Sequence, residues 1–344
     1  MPLPDIKNLT REELKHALER MNEKPFHAAA VFKNVYRRGT ADFSYFQDVP
    51  QKTLAKMASA FTISALAPAE TKVSKADGTI KLLFRFHDGA MAESVVMFAK
   101  GRASACLSSQ SGCECGCAFC ATAKIGFKRS LTPHEIIAQF EACRKAAGQE
   151  IASIVFMGMG EPFFNWENVK KSVLILSDDM GYGLSQNKIT VSTVGIIPGI
   201  NDLSNSGLKI NLAISVITAD ESQRAKLTPM QARYPLTDVI EAARLDCEKR
   251  KKRVLLEYIL FDGFNDDEPA ADKLAALARR LPCTINLIIH NKTDGTPISA
   301  RQTATANQFH KLLMARGLRV YLRAERGSDI SAACGQLAAK QKNR

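Results

Sequence analysis

The chain has 344 residues, 46% of them apolar, with 20 Gly and 13 Pro; this excludes a disordered or fibrous protein and allows one large core plus a small domain. Lys and Arg outnumber Asp and Glu by 47 to 35, and the net charge of +12 suits a polyanionic partner or, equally, a basic enzyme without one. No signal-peptide pattern opens MPLPDIKNL and no uncharged apolar run is long enough to cross a bilayer, so a cytoplasmic protein without membrane contact is expected, its nine cysteines serving metal or catalysis before disulfides.

Residues 1–66 should form a small helical domain, since LTREELKHALERMNE carries apolar residues at helical spacing and QKTLAKMASAF reads as a further helix. Within it, FKNVYRRGT sets Lys33, Arg37 and Arg38 beside Phe32 and Tyr36, which fits an RNA surface or simply solvated helix ends. Residues 67–98 alternate and contain the turn signals Asp77-Gly78 and Asp88-Gly89, predicting two or three antiparallel strands. Over 99–330, the β-rich runs RASACLSS, ASIVFMGMG, KITVSTVG, KINLAISV, RVLLEYILF, CTINLIIHN and RVYLRA alternate with helical segments, the first announced by Thr132, Pro133 and Glu135. The run Lys249 to Arg253 either ends a helix or meets phosphates. Residues 331–344 form a C-terminal segment with a frayed KQKNR tail.

The expected class is therefore α/β, with parallel strands in an open or closed barrel. Sites in such barrels gather at the C-terminal strand ends. There the cysteines follow the first strand, Gly160-Glu161 the second, Ser192 the third, Ser215 the fourth and Asn291 the sixth.

Five cysteines crowd into CLSSQSGCECGCAFCATAKIGF, Cys106 to Phe127. Cys113, Cys117 and Cys120, spaced C-x3-C-x2-C, allow one loop to hold three irons of a cubane and leave the fourth open. Zinc would want four ligands, usually from two C-x2-C pairs; no second pair exists, although Cys115 could supply a fourth thiolate.

The cysteine segment, with Phe119 before its last cysteine, resembles the signature of the radical S-adenosylmethionine (SAM) enzymes, and GMGE, Gly158 to Glu161, resembles their element for the SAM amino group. SSQSGC, CAFCATAKIGF, MGMGEP, ITVSTVGIIPGI, LAIS and RGSDISAACGQL, with EKPFHA near the N-terminus, resemble the radical SAM adenine methyltransferases that modify ribosomal and transfer RNA at C2, with close relatives acting at C8.

That resemblance implies a partial (β/α)6 barrel with a small N-terminal helical domain that helps grip RNA, one 4Fe–4S cluster on Cys113, Cys117 and Cys120, and SAM held by Gly160, Glu161, Ser192, Ser215, Val216, Ile217 and Asn291. It implies an rRNA or tRNA substrate, an electron donor such as flavodoxin or ferredoxin, and a monomer. Adenine C2 is too electron-poor to attack a sulfonium methyl, so the family uses a 5′-deoxyadenosyl radical that takes hydrogen from a methyl already carried on a cysteine. Cys334 matches that carrier, Cys106 the cysteine that resolves the covalent protein–RNA adduct through a transient disulfide, and Glu93 the proton acceptor.

Some positions depart from the family pattern. Ile217 stands where a His is usual, Lys292 enters the loop after Asn291, LTPMQARYP replaces Leu-Met-Pro-Ile-Asn, and Ser328 precedes Asp329 in place of an Asp. Cys115 reads as a bystander, while Cys143, Cys247 and Cys283 read as core or neutral surface. A C8-directed enzyme and a zinc-stabilised, non-catalytic RNA-binding protein are the alternatives.

Overall fold

The computed structural model describes residues 3–291 and 303–339; Lys292 and the KQKNR tail lie outside them. The N-terminal part holds helices α1 (Arg11–Arg20), α2 (His27–Phe32) and α3 (Gln51–Ala60). A reciprocal cap starts α1, with the Glu13 backbone N donating to Thr10 Oγ1 at 3.2 Å and the Thr10 N to Glu13 Oε2 at 2.9 Å. Leu14, Leu18, Val31, Leu54 and Met57 form its buried heart. Phe32 and Tyr36 are buried there too, and Arg37 donates to the Gly181 carbonyl at 3.1 Å, so these residues fasten the helical part to the rest of the molecule.

Next come β1 (Glu70–Val73), β2 (Ile80–Arg85) and β3 (Met91–Ala99), an antiparallel meander, and then β4 (Arg102–Cys106), antiparallel to β3. Gly78 and Gly89 have φ of +72° and +80° in the two hairpin turns, as their Asp-Gly pairs predict. A loop carries the small ribbon β5 (Gln110–Ser111) and β6 (Arg129–Ser130), with α4 (Ala121–Ile125) between its strands.

The remaining chain alternates: α5 (Pro133–Ala147), β7 (Ile151–Phe156), α6 (Trp166–Ser177), β8 (Ile189–Thr193), α7 (Ile197–Asn205), β9 (Asn211–Ile217), α8 (Glu221–Leu227), α9 (Met230–Arg233), α10 (Leu236–Arg250), β10 (Val254–Leu260), α11 (Glu268–Ala278), β11 (Cys283–Ile289), α12 (Thr303–Ala315) and β12 (Val320–Leu322). Strands β1 to β4 and β7 to β12 belong to one sheet ordered β1-β2-β3-β4-β7-β8-β9-β10-β11-β12, parallel from β4 onward. The six parallel strands expected are present, β12 adds a short seventh, and the meander is the continuation of the barrel sheet rather than a detached piece.

Strand alternation sorts the core. In β8, β9 and β10 the apolar Val191, Val216 and Leu256 are buried, while Ser192, Ser215 and Glu257 face a central cavity. The end of α10 uses its basic run locally: Arg250 pairs with Asp246 at 2.7 Å and Arg253 donates to the Cys283 carbonyl at 2.9 Å.

Candidate active site

Cys106 ends β4, and the chain after it is stitched to the loop after β7. Leu107 N donates to the Val155 carbonyl at 2.9 Å, Gly158 N to the Leu107 carbonyl at 3.1 Å, and Gln110 N to the Met159 carbonyl at 3.1 Å. Gly160, at φ +97°, lies so close that a Cβ would stand 2.5 Å from Gln110 Cβ. Here glycine is required by backbone packing, whatever it does for a ligand. The cysteine loop is pinched at its neck in the same way, for a Cβ on Gly112 would lie 1.8 Å from the Gly126 carbonyl oxygen.

Within the loop, Ala118 N donates to the Leu227 carbonyl at 2.9 Å and the Cys117 thiol meets Thr228 Oγ1 at 3.3 Å. The unusual LTPMQARYP stretch thus braces the cysteine loop. Above it Arg224, 0% exposed and paired with no carboxylate among the described residues, donates to Gln231 Oε1 at 2.6 Å, Val194 O at 2.5 Å and Val216 O at 3.3 Å, tying the ends of β8 and β9 together. Burial lowers its pKa to about 10.

The C-terminal segment closes over this region. Ala121 N donates to the Gly335 carbonyl and Thr122 Oγ1 to the Leu337 carbonyl, both at 2.7 Å, and Asn291 Nδ2 donates to the Cys334 carbonyl at 3.2 Å. A cavity of about 220 Å³ results, walled by Cys106, Cys113, Cys115, Cys117, Cys120 and Cys334. Gly160, Glu161, Ser192, Ser215 and Asn291 also line it. Val216 and Ile217 do not; both are fully buried behind the wall, because alternation turns Val216 away and a register shift opposite Glu257/Tyr258 accompanies Ile217, which sits at φ +69°.

Glu93 is also off the cavity wall. It is buried on β3, its Oε1 3.2 Å from Lys81 Nζ and its Oε2 accepting from Ala338 N at 2.9 Å beneath the C-terminal segment. Glu161 spends its carboxylate on backbone: Oε1 accepts from Phe163 N at 3.1 Å and Oε2 from Val194 N at 2.9 Å, while burial pushes its pKa up to about 7.

Burial likewise pushes the Cys106 and Cys117 thiols up to about 12 and raises Cys120. Cys113 is lowered, chiefly by a hydrogen bond with Cys115, whose own thiol is pushed up by the same bond. Cys115 is therefore not outside the site: it is buried in the cavity wall, a neighbour of Cys113.

Sequence reading missed three wall residues. Arg323, just beyond β12, contacts Met157 Sδ at 3.5 Å, and the nearby Cys334 sulfur is the chief cause that raises its pKa. Glu257 accepts from Asn286 Nδ2 at 2.9 Å on one oxygen and has no partner on the other among the described residues; burial raises its pKa. His290 packs its ring 4.7 Å from that of Phe261, with neither nitrogen partnered among the described residues. None sits in a recognisable motif. Only the alternation of β10 marks Glu257 as inward-facing.

Among the described residues no three His, Cys, Asp or Glu side chains converge closely enough to hold a single metal ion. Three thiols spread around a cavity suit a multi-iron cluster better than the tight tetrahedron of zinc. The donor set and the room beside it therefore fit the cluster and SAM.

A parallel β/α barrel with this cavity at its C-terminal strand ends defines a radical SAM enzyme, and the Radical SAM superfamily model matches residues 107–275. The model for the ribosomal RNA large subunit methyltransferase N-terminal domain matches residues 4–63. A probable dual-specificity RNA methyltransferase RlmN from Geobacillus kaustophilus is 40% identical, covering 99% of this chain and 94% of its own. The dual-specificity RNA methyltransferase RlmN of an Anaeromyxobacter strain is 38% identical over 98% and 92% of the two chains. A crystal structure of a radical SAM methyltransferase from Sphaerobacter thermophilus has a TM-score of 0.91 at 38% identity, with 98% of this chain and 100% of that one covered. The chain belongs to the RlmN family of radical SAM RNA methyltransferases, which work with a 4Fe–4S cluster and SAM.

Proposed function

We propose that the protein methylates adenine at C2 in ribosomal RNA, transfer RNA or both, as a monomer in the cytoplasm, with an external one-electron donor of the flavodoxin or ferredoxin kind. Cys113, Cys117 and Cys120 hold the cluster, and Gly160, Glu161, Ser192, Ser215 and Asn291 hold SAM from the strand ends. Val216 and Ile217 act from behind the wall by shaping the end of β9. When bound, the cluster and SAM supply the initiating carbon radical.

The chain's own residues do the rest. Cys334, exposed and yet on the cavity wall, carries the methyl group to the base. Cys106 stays protonated until its turn, because burial disfavours its thiolate. It then attacks the Cys334 sulfur: an S–S bond forms as the bond from that sulfur to the transferred carbon breaks, the freed carbon takes up a proton to become the methyl group of the RNA, and an external thiol reduces the disulfide. Glu93 accepts the C2 proton. The observation that carries the reading is that Cys106 and Cys334, from opposite ends of the core, share one cavity with the three cluster cysteines.

The test is modification mapping of total rRNA and tRNA from cells with the gene, without it, and with a Cys334→Ala copy. Loss of 2-methyladenosine in both defective strains is expected. Loss of 8-methyladenosine instead would assign C8, and full methylation by Cys334→Ala would refute the carrier role.

A further inference from the structure

Lys81 is a buried lysine that no motif or role above accounts for. It lies on β2 opposite Val95, so that Glu93 on β3 is its diagonal neighbour on the same face of the sheet. The two side chains are 8% and 7% exposed and stand 3.2 Å apart. Burying such a pair pays only if its remaining donors and acceptors are used. They are used on one segment. Lys81 Nζ donates to the Ser331 carbonyl at 3.0 Å, and the Ala338 N donates to Glu93 Oε2 at 2.9 Å. Ser331 and Ala338 flank Cys334, three residues before it and four after. A single ion pair therefore grips both sides of the stretch that presents the exposed cysteine to the cavity.

We infer that Lys81 is a positioning residue for Cys334: with Glu93 it clamps the 331–338 segment, and the clamp opens when Glu93 takes up a proton. The release step rests on the proposed role of Glu93 as acceptor of the C2 proton. The proton leaves adenine C2 and ends on a Glu93 oxygen, and no covalent bond of the segment changes. Loss of the anion weakens two charge-assisted hydrogen bonds at once, the one from Lys81 and the one from Ala338 N. It also leaves Lys81 as a buried cation held only by a carbonyl, an arrangement that favours opening. Base removal of the proton and freedom for Cys334 to move toward Cys106 are thereby linked, so the disulfide cannot form efficiently before the base has been deprotonated.

The test uses the full-length, cluster-loaded chain, reduced and handled without oxygen, with two readouts that need no turnover. These are hydrogen exchange in peptides spanning 331–339 and the rate at which diamide oxidises Cys106 and Cys334 to a disulfide. Glu93→Gln, which mimics the protonated carboxyl, and Lys81→Met should each speed both at least about tenfold. The double variant should be no faster than either single one, and Lys81→Arg should stay near wild type. Should Lys81→Met fail to fold, Glu93→Gln decides alone. Wild-type exchange in Glu93→Gln, or single effects that multiply in the double variant, overturns the clamp. Normal RNA methylation by Glu93→Gln with raised exchange instead overturns the acceptor role and with it the release step, so the two failures are read separately.

Discussion

Replacing Gly160 by alanine tests whether the glycine serves the fold or only the cofactor. The added methyl would meet Gln110 Cβ at 2.5 Å and Gln110 N at 2.8 Å, and the backbone there is at φ +97°. The unfavourable conformation costs about 1–2 kcal/mol and the overpacking about 1–3 kcal/mol. Displacing Gln110 also threatens the 3.0 Å bond from Glu161 N to Gln110 Oε1, whose loss strands a buried N–H at about 1 kcal/mol or more. The three together come to about 4 kcal/mol. With an unfolding entropy of about 2.1 cal/mol/K per residue, a chain of this length should lose about 5 °C in Tm. The assay is thermal unfolding of the cluster-free, SAM-free protein by circular dichroism. A glycine kept only for close approach to SAM would leave that Tm unchanged while weakening SAM binding, and an unchanged Tm would refute the packing argument.

Two other predictions rest on buried groups. Because burial holds the Cys106 thiol near 12, its thiolate fraction rises about tenfold per pH unit between pH 7 and 9, and so should the rate at which the protein–RNA adduct is resolved. Quenched-flow gels of the adduct would measure this, and a rate that levels off below pH 9 would mean that the thiol is not so shielded. Arg224→Met takes the principal donors from Val194 O and Gln231 Oε1 and should destabilise the protein by about 3 kcal/mol, read as a Tm lower by about 4 °C. Unchanged stability would show that losing the buried charge offsets the lost hydrogen bonds.

The strand ends were legible in the sequence because the signals are local. Period-two runs, the Asp-Gly turns and the Thr132–Glu135 start each involve neighbours, and the structure keeps them, with the Thr132 N donating to Glu135 Oε2 at 2.9 Å. Cys106, Cys334 and the cysteines of the C-x3-C-x2-C motif were legible as members of a motif and are found around one cavity. Glu93 was legible as a residue but not in its surroundings, since Lys81 is a lysine on a strand with nothing in the sequence to mark it as buried, and Ala338 is 245 positions away. Arg323 and Glu257 escaped for the same reason: their neighbours come from other strands and from the C-terminal segment. Val216 was read as a cavity residue from its place between Ser215 and Ile217, yet adjacent residues of a strand point to opposite faces. The mixture of Phe32, Tyr36 and Arg37 was ambiguous in the sequence because burial, which decides it, depends on how α2 packs.

The bonds from Ala121 and Thr122 to Gly335 and Leu337 also bear on the order of assembly. Leu337 follows Thr122 by 215 positions, so a nascent chain offers open thiols to an iron–sulfur donor before its C-terminal segment is made and can dock on them. A chain that folded to completion while still empty would have to lift that end again to be loaded. Maturation should therefore be most efficient when iron and sulfide reach the protein early, and a bulky fusion at its C-terminus should change how it is filled more than how it folds.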